Sequence, residues 1–200
     1  MAFNINEFRT NGLTMGGARP SLFQVELTPP GGMGVLTGAA SKFTFTCRGA
    51  TLPPAIIGTV EAGYFGRRAK MAGDRVFPDW TVSVYNDEDF LVRDMFEKWS
   101  NAMNMLQNNR RSSSVASLPS AAIVTTPETA YMADLTVKQY AKDSNVAIRS
   151  YTMVGAFPTQ IDPIELNWDN QNQIEMFNVT FAYQYWDLEV PGPLDGVKKS

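Results

Sequence analysis

The side chains that most often carry enzyme chemistry are scarce in this chain. It contains no histidine, which removes the commonest general base and the commonest metal ligand, and its single cysteine is Cys47. Cys47 has no histidine to activate it, and its place in an alternating apolar pattern favours a buried structural thiol. One cysteine can form neither an intramolecular disulfide nor a thiolate metal site. We therefore expect no catalytic residue, no cofactor and no bound metal.

Two segments resemble ligand sites only superficially. The glycines of Gly32–Gly38 are spaced somewhat like a phosphate-binding loop, but no Lys-Ser/Thr pair follows, and we expect a strand rather than a helix next. A flexible loop is the better interpretation. The oxygen-bearing side chains of Asp169–Asn172 lack the glycine turn and the distal glutamate of a calcium loop, which favours a polar turn.

Positive charge is concentrated in one short segment of an otherwise acidic chain. Arg67, Arg68, Lys70 and Arg75 lie close together, although the formal net charge of the chain is −3. On the residues alone two interpretations stay open: a solvated hairpin face, or a docking loop that meets acidic groups on another subunit. The net charge provides no basic field for sequence-independent DNA binding, so we expect any contact with nucleic acid to be passive.

Length and composition predict one domain that associates with other copies or partners. The chain has 200 residues, and we expect a single domain over 1–200 with an N-terminal arm at 1–19 and a C-terminal tail at 188–200. Only 18% of the residues are charged, while 44% are apolar, which suggests that part of the surface is covered by something other than water. Met1–Thr10 lacks a basic start followed by an apolar run, so we expect a soluble protein made in the cytoplasm, without a membrane partner.

The elements that must position these residues are mostly strands. Alternation of apolar and polar residues, interrupted by glycine and proline, predicts seven extended segments. They are Leu22–Thr28, Lys42–Arg48, Ile56–Phe65, Trp80–Tyr85, Tyr131–Val137, Ala147–Phe157 and Phe177–Tyr185. Long loops are expected at 29–41 and 110–128, and a polar stretch punctuated by Gly66, Gly73 and Pro78 follows the third segment.

One helix is expected, at about residues 88–108. Asn86–Asp89 can cap its start and oppose the positive end of its dipole, and apolar residues from Leu91 to Leu106 recur at helical spacing. With roughly seven or eight strands and this helix between the Trp80–Tyr85 and Tyr131–Val137 segments, the fold class is mainly β, a sandwich or barrel with one flanking helix. Such a sheet leaves unpaired edges that a neighbouring copy could pair.

The last predicted strand has two contrasting faces. Aromatic residues from Phe177 to Tyr185 alternate strictly with polar ones, so they are better explained as core than as a platform for stacking bases or sugars. The opposite face consists of small, uncharged or amide side chains. These are Asn178, Thr180, Ala182 and Gln184.

Several separated blocks together resemble the tail tube proteins of contractile-tailed, myovirus-type bacteriophages. They are Ala18–Val25, Phe43–Cys47 with Leu52-Pro53, Phe65–Glu88 with Trp99, Phe157–Thr159, Trp168-Asp169 with Asn172, and Phe177–Trp186. The resemblance therefore covers most of Ala18–Trp186 and implies the phage tail tube fold, which type VI secretion and bacteriocin tube proteins share. The chain departs from the compact family pattern at 29–41, at 110–128 and in the tail.

The resemblance also implies a function and a set of partners. Tube proteins of this family form hexameric rings whose inner sheets join into one β-barrel, and the rings stack into a tube inside the contractile sheath. The implied partners are further copies of the chain, the sheath protein, and the baseplate and tail-terminator proteins, with the tape-measure protein and DNA in the lumen without specific binding. The implied location is the virion tail, assembled in the host cytoplasm.

Two surfaces follow as hypotheses from the blocks together with the charge pattern. Ring-stacking or ring-closing contacts are expected at Tyr64, Phe65, Arg67, Arg68, Lys70, Asp74 and Arg75. A neutral to acidic lumen is expected at Asn178, Thr180 and Gln184. The alternatives are a tube initiator or baseplate ring component, a secretion-system tube subunit and, from a different class, a β-sandwich glycan-binding module.

Overall fold

The protein is described by a computed structural model that covers residues 4–13, 17–30, 37–110, 131–142, 146–169 and 171–189. These residues form a mainly β fold, which confirms the predicted class. The helices are α1 (Ile5–Glu7), continued by a π-helical turn at Phe8–Gly12, α2 (Thr37–Thr46) and α3 (Leu91–Met103). The strands are β1 (Phe23–Thr28), β2 (Cys47–Ala50), β3 (Ile56–Tyr64), β4 (Arg67–Val76), β5 (Trp80–Tyr85), β6 (Ala133–Tyr140), β7 (Ala147–Ile161), β8 (Met176–Ala182) and β9 (Tyr185–Glu189).

The main sheet is antiparallel and runs in the order β1-β6-β7-β8-β5-β2, with β9 added on β7. The 15-residue β7 belongs to two layers, because its first half pairs with β6 and β9 and its second half pairs with β8. We call β1-β6-β7-β9 the first layer and β7-β8-β5-β2 the second. One strand thus links the two layers, as in a sandwich whose corner is made by a strand that changes sheet.

Gly155 forms the corner at which β7 passes from one layer to the other. Its φ is +65°, and a Cβ there would lie 2.9 Å from Cγ of Gln184. The partner strand breaks at the same place, because β8 ends at Ala182 and β9 begins at Tyr185. Only glycine meets both requirements without strain, because it has no Cβ and accepts positive φ.

The core is aromatic and lies on the inner face of the second layer. Trp80 and Phe181 are fully buried there, with ring centroids 6.0 Å apart, and Trp99 of α3 packs 6.3 Å from Phe181. Each buried indole nitrogen donates a hydrogen bond, from Trp80 to the Thr51 carbonyl (2.6 Å) and from Trp99 to the Tyr131 carbonyl (2.7 Å). Both indoles therefore satisfy their polar group while they fill the core.

The predicted helix exists, in the expected place between the fifth and sixth strands, but it is shorter than 88–108. It begins at Leu91, where the Asp89 carboxylate accepts a hydrogen bond from the Leu91 amide (3.0 Å), and ends at Met103. Leu106 lies beyond it and is 92% exposed. The buried stripe consists of Val92, Met95, Phe96, Trp99 and Ala102. The apolar spacing therefore located the helix but overran its C-terminal end.

The predicted strand Lys42–Arg48 is wrong over most of its length, because residues 37–46 form α2. Ala39, Ala40 and Phe43 are buried on one helical face, while Phe45, expected beside Phe43, is 86% exposed. The Thr44 and Thr46 hydroxyls donate to the backbone carbonyls of Ala40 and Lys42. Side-chain bonds to the carbonyl four residues earlier are typical of threonine in a helix. Phe43 meets Phe96 of α3 at 5.5 Å, and this tertiary contact outweighs the β-propensity of the Phe-Thr pattern.

The fold has more regular structure than the sequence predicted. The 37–41 part of the expected 29–41 loop is helical, the polar stretch after Gly66 contains β4, and the ladder continues beyond Ala182 as β9 to Glu189. In the N-terminal arm, residues 5–12 are helical and residues 5–7 are exposed. Gly32, Asn170, nearly all of the 110–128 loop and residues 190–200 of the tail lie outside the described residues.

Candidate functional site

The basic segment predicted as a contact loop is one arm of a long β-hairpin. β3 and β4 pair from Ile56↔Val76 to Tyr64↔Arg67, as a two-stranded sheet separate from the main one. The turn consists of Phe65 and Gly66, with φ +44° and +77°, the pattern of a type I′ turn. A phenylalanine in left-handed backbone is unusual, so the turn presents this ring at the tip at a conformational cost.

The register gives this hairpin two different faces. Directly paired residues share a face, so the pairs Val60↔Met71 and Ala62↔Ala69 lie on one face, together with Tyr64. The intervening pairs, including Glu61↔Lys70 and Gly63↔Arg68, lie on the other. One face is therefore apolar except for Arg67, which pairs with Tyr64 at the tip, and the other is polar and charged.

The apolar face is uncovered. Tyr64 is 73% exposed, Phe65 is 88% exposed, and their rings meet edge to face at 4.6 Å. Val60 and Met71 are each more than half exposed as well. An isolated two-stranded hairpin is marginally stable in water, and monomeric proteins rarely leave such a continuous apolar face open.

The structure separates the predicted contact residues into two groups. Tyr64, Phe65, Arg67 and Arg68 lie at the tip of the hairpin, with Lys70 close behind. Glu61 accepts from Arg68 at 3.0 Å and lies 3.9 Å from Lys70, an exposed ion pair across the strands. The two residues nearest the base are Asp74, in the β-bulge opposite Gly58, and Arg75, opposite Ile57.

The predicted lumen residues lie on the outer face of the second layer, with one exception. Asn178 and Thr180 of β8 point away from the core, and the Thr180 hydroxyl is 3.0 Å from that of Thr81 on β5. Gln184 is exposed but lies in the connection between β8 and β9, at the Gly155 corner.

Neutral polar groups continue across the same outer face. Ser83 lies opposite Asn178 and Gln160 opposite Thr180. Asp162 borders the face and accepts hydrogen bonds from the side-chain amides of Gln160 (2.7 Å) and Asn178 (3.0 Å). The outer face of the first layer is different, because Lys138 and Glu26 form an ion pair there at 2.7 Å.

The structure provides no arrangement suited to catalysis at the candidates considered. Burial raises the pKa of the Cys47 thiol to about 12, so it is protonated at neutral pH and a poor nucleophile. In the described part of the chain, no three Cys, Asp or Glu side chains converge as a metal site. Asp87 and Asp89 both bind Lys42, which ties the start of α3 to α2. No helix among the described residues is long and apolar enough to span a membrane.

Solved structures with the same fold belong to contractile injection systems. A tube-terminating cap of the anti-feeding prophage matches with a TM-score of 0.57 and 16% identity, over 87% of this chain and 91% of that one. A second match is a chain from the sheath–tube complex of an extracellular contractile injection system in its extended state. Its TM-score is 0.55 and its identity 12%, over 94% of this chain and 99% of that one. The class that this fold defines is a β-sandwich of the tail tube type.

Sequence comparison identifies the family. A model of the phage tail tube protein family matches residues 18–189. The tail tube protein gp19 of Enterobacteria phage T4 is 34% identical over 170 residues, which cover 85% of this chain and 91% of the T4 protein, and the T6 protein matches equally well. The chain belongs to the phage tail tube protein family, and its role is that of a structural component of a tail tube.

Proposed function

We propose that this chain assembles into hexameric rings that stack into the inner tube of a contractile phage tail, with the β3–β4 hairpin as the contact between rings. The observation that carries the proposal is the apolar, uncovered face of that hairpin. Copies of the chain or other tail proteins would cover it, and association would remove Tyr64, Phe65 and Met71 from water. The fold and the family support a tube subunit, and the exposed hairpin supports the contact through which its rings would stack.

The second part of the proposal concerns the lumen. The outer face of β5 and β8 would line the channel through which DNA passes into the host. The Thr81 and Thr180 hydroxyls hydrogen-bond each other there, Asn178 donates to the Asp162 carboxylate, and the face presents no array of cations to the phosphates. Sequence-independent binding to DNA depends on such cations, so a surface of this composition lets DNA slide. Gln184 would border the channel at the corner between the layers.

The remaining partners and the location follow from the family. The relatives include a T4 tail tube protein, and one structural neighbour was solved in a sheath–tube complex. We extend this to the present chain: a sheath protein outside the tube, baseplate and terminator proteins at its ends, and a tape-measure protein with DNA inside. The tube would assemble in the host cytoplasm and become part of the virion tail.

Phe65→Asn tests the hairpin contact with little risk to the fold. Asn-Gly is the preferred type I′ turn sequence, so the variant keeps or improves the turn while it removes the exposed ring. We expect a normally folded subunit that no longer forms tubes in negative-stain electron microscopy. Arg67→Glu with Arg68→Glu should have the same effect through charge. The matched control is Leu106→Ala, which truncates a comparably exposed side chain outside the hairpin. Tubes of normal length from both hairpin variants would contradict the proposal.

Thr180→Lys together with Gln184→Lys tests the lumen assignment. Lysines in the channel would attract phosphate, so we expect normal tubes in the microscope but slowed DNA passage and reduced infectivity. Thr28→Lys, on the exposed outer side of the first layer, serves as the control for an added charge. Unchanged infectivity of the double variant would show that this face does not line the channel.

A further inference from the structure

A second uncovered apolar surface lies on the connection between β7 and β8. We call residues 164–169 and 173–176 the Trp168 surface; all of them except Asp169 line an open cavity of about 450 Å³. Trp168 is 98% exposed, and Leu166 and Ile174 are 78% and 66% exposed. Only Asp169–Asn172 of this connection was interpreted from the sequence as a polar turn. The sequence signal for an exposed apolar surface was nevertheless present, because large apolar residues stand here among amide and acidic residues in a loop.

The base of the Trp168 surface is fixed to the main sheet. The buried Asn86 donates from its backbone amide to the Glu175 carbonyl (2.8 Å) and from its side chain to the Glu175 carboxylate (2.9 Å). Ile164 packs against the core, and Arg48 contacts the sulfur of Met176 at the margin. The exposed side chains are therefore presented by an anchored loop.

The Trp168 surface and the hairpin lie at opposite ends of the second layer. In the β5–β8 ladder Trp80 pairs with Phe181 at one end, and Tyr85 pairs with Met176 at the other. The hairpin enters β5 at the Trp80 end, whereas the Trp168 surface leads into β8 at the Met176 end. About 17 Å of strand separates the two ends, because β5 has six residues.

The two surfaces are complementary in chemistry. The hairpin carries four basic and two acidic side chains, whereas the Trp168 surface carries Glu165, Asp169 and Glu175 and no basic residue. Each also presents exposed rings, Tyr64 and Phe65 on the hairpin and Trp168 on the loop. Complementary charge around an apolar centre is typical of specific protein contacts.

We propose that the Trp168 surface receives the hairpin tip of a second copy of this chain, with Phe65 seated on the cavity beside Trp168 and Arg67 and Arg68 facing Glu165 and Asp169. Because the two surfaces lie at opposite ends of the second layer, the contact is heterologous. A pair of copies joined in this way still exposes one unused hairpin and one unused Trp168 surface. Heterologous contacts that do not close produce open-ended stacks. The inference rests on the proposed tube function and names the surface that would accept the hairpin.

Charge reversal on both surfaces tests the pairing. Glu165→Arg with Asp169→Arg should raise the critical concentration for tube formation roughly tenfold or more, and we expect the same of Arg67→Glu with Arg68→Glu. The quadruple variant, with both reversals in one chain, should regain tubes because opposite charges meet again. The control is Asp94→Arg with Glu97→Arg, which reverses two comparably exposed carboxylates on α3. Circular dichroism checks that each variant is folded.

The outcomes separate this inference from the proposed function. If the hairpin reversal abolishes tubes but the loop reversal does not, the hairpin contact stands and the Trp168 surface is not its receptor. A quadruple variant that stays folded and unassembled also overturns the pairing. If the hairpin reversal itself leaves tubes unchanged, the proposed stacking contact fails. Trp168→Ala gives an independent readout without any change of charge: reduced tube yield relative to Leu106→Ala supports the inference, and equal yield overturns it.

Discussion

Two antiparallel strand pairs of this protein, β5–β8 and β3–β4, differ in what covers them. In β5–β8 one face is packed, and at most 1% of Trp80, Val82 and Phe181 is exposed. In β3–β4 every paired position is exposed or half-exposed, although the ladder is longer. Both pairs have an apolar face, so the pattern of residues alone does not say whether the fold or a neighbour covers it. We interpret the first as core and the second as interface.

The largest difference between the two pairs is expected on truncation of an aromatic side chain. Phe181→Ala removes a ring that contacts Trp80, Phe96 and Trp99, and the cavity should cost about 3–5 kcal/mol of unfolding free energy. Urea denaturation of the monomer measures the loss. Phe65→Ala, the matched truncation in the hairpin, should change the unfolding free energy by less than about 0.5 kcal/mol. Similar losses of unfolding free energy in both variants would contradict the assignment of β5–β8 as core and of β3–β4 as interface.

Glycines in the two regions should respond differently to alanine. Gly155→Ala forces a side chain into positive φ and against Gln184, which we expect to cost about 1–3 kcal/mol. Gly63→Ala in β3 meets no atom within 4 Å and should be neutral or slightly stabilising. Thermal melts of both variants measure this contrast. A Gly155→Ala protein as stable as the parent would mean that the corner adapts and does not require glycine.

Polar substitution on the apolar face of the hairpin separates stability from assembly. Val60→Thr with Met71→Gln should leave the melting temperature of the subunit nearly unchanged, because both side chains are more than half exposed. Tube formation should nevertheless require a higher protein concentration, since less apolar area leaves water on association. Light scattering against concentration measures this threshold. If the concentration needed for tube formation does not change, the contact between copies is made by the charged face of the hairpin and not by its apolar face.

The smallest effect is expected at the Lys42 cluster, which joins α2 to α3. Hydrogen bonds to Asp87 and then Asp89 raise the pKa of Lys42 above 10.5, and the bond from Lys42 holds the pKa of each carboxyl below 3.8. The two carboxylates therefore stabilise the fold above pH 3.8, and this stability is lost as the pH falls through their lowered pKa in the folded protein. The stability that Lys42 contributes is lost only at high pH, as the pH rises through the raised pKa of Lys42.

Lys42→Met should therefore lower the melting temperature slightly at neutral pH. The difference from the parent should shrink once the pH drops below about 3.8 and these carboxylates become protonated. Both carboxylates are about half exposed, so solvent screening keeps the effect small. Melts between pH 2 and 7 provide the comparison, and a constant difference across that range would rule out a contribution from this ion pair.

Particular elements show how far the sequence could predict the fold. β1 and β5 were predictable because alternation in a half-buried strand is local, and α3 because its apolar residues recur every three to four positions. α2 was not, because only the contact of Phe43 with Phe96 decides between helix and strand for a short Ala-Phe-Thr segment. β4 carried a usable signal that was overlooked, alternating residues after a two-residue turn, but Phe65 in place of asparagine or glycine obscured that turn.

The candidate sites divide in the same way. The charge cluster from Arg67 to Arg75 and the neutral face of β8 are visible in the chain, since charge and period two are properties of neighbouring residues. The Trp168 surface is not visible as a site, because its exposure depends on the loop standing clear of the sheet. Its position at the end opposite the hairpin depends on the register of β5 with β8.

The sequence by itself determined the class of this protein: a mainly β chain without histidine, with an amphipathic last strand and the blocks of a phage tail tube protein. The tertiary structure alone decided which apolar faces are core and which stay exposed. The physical reason is that burial is a property of what packs across a face. Residues distant in sequence supply that packing, as Trp99 does for Phe181, and none does so on the apolar face of the β3–β4 hairpin within the described residues.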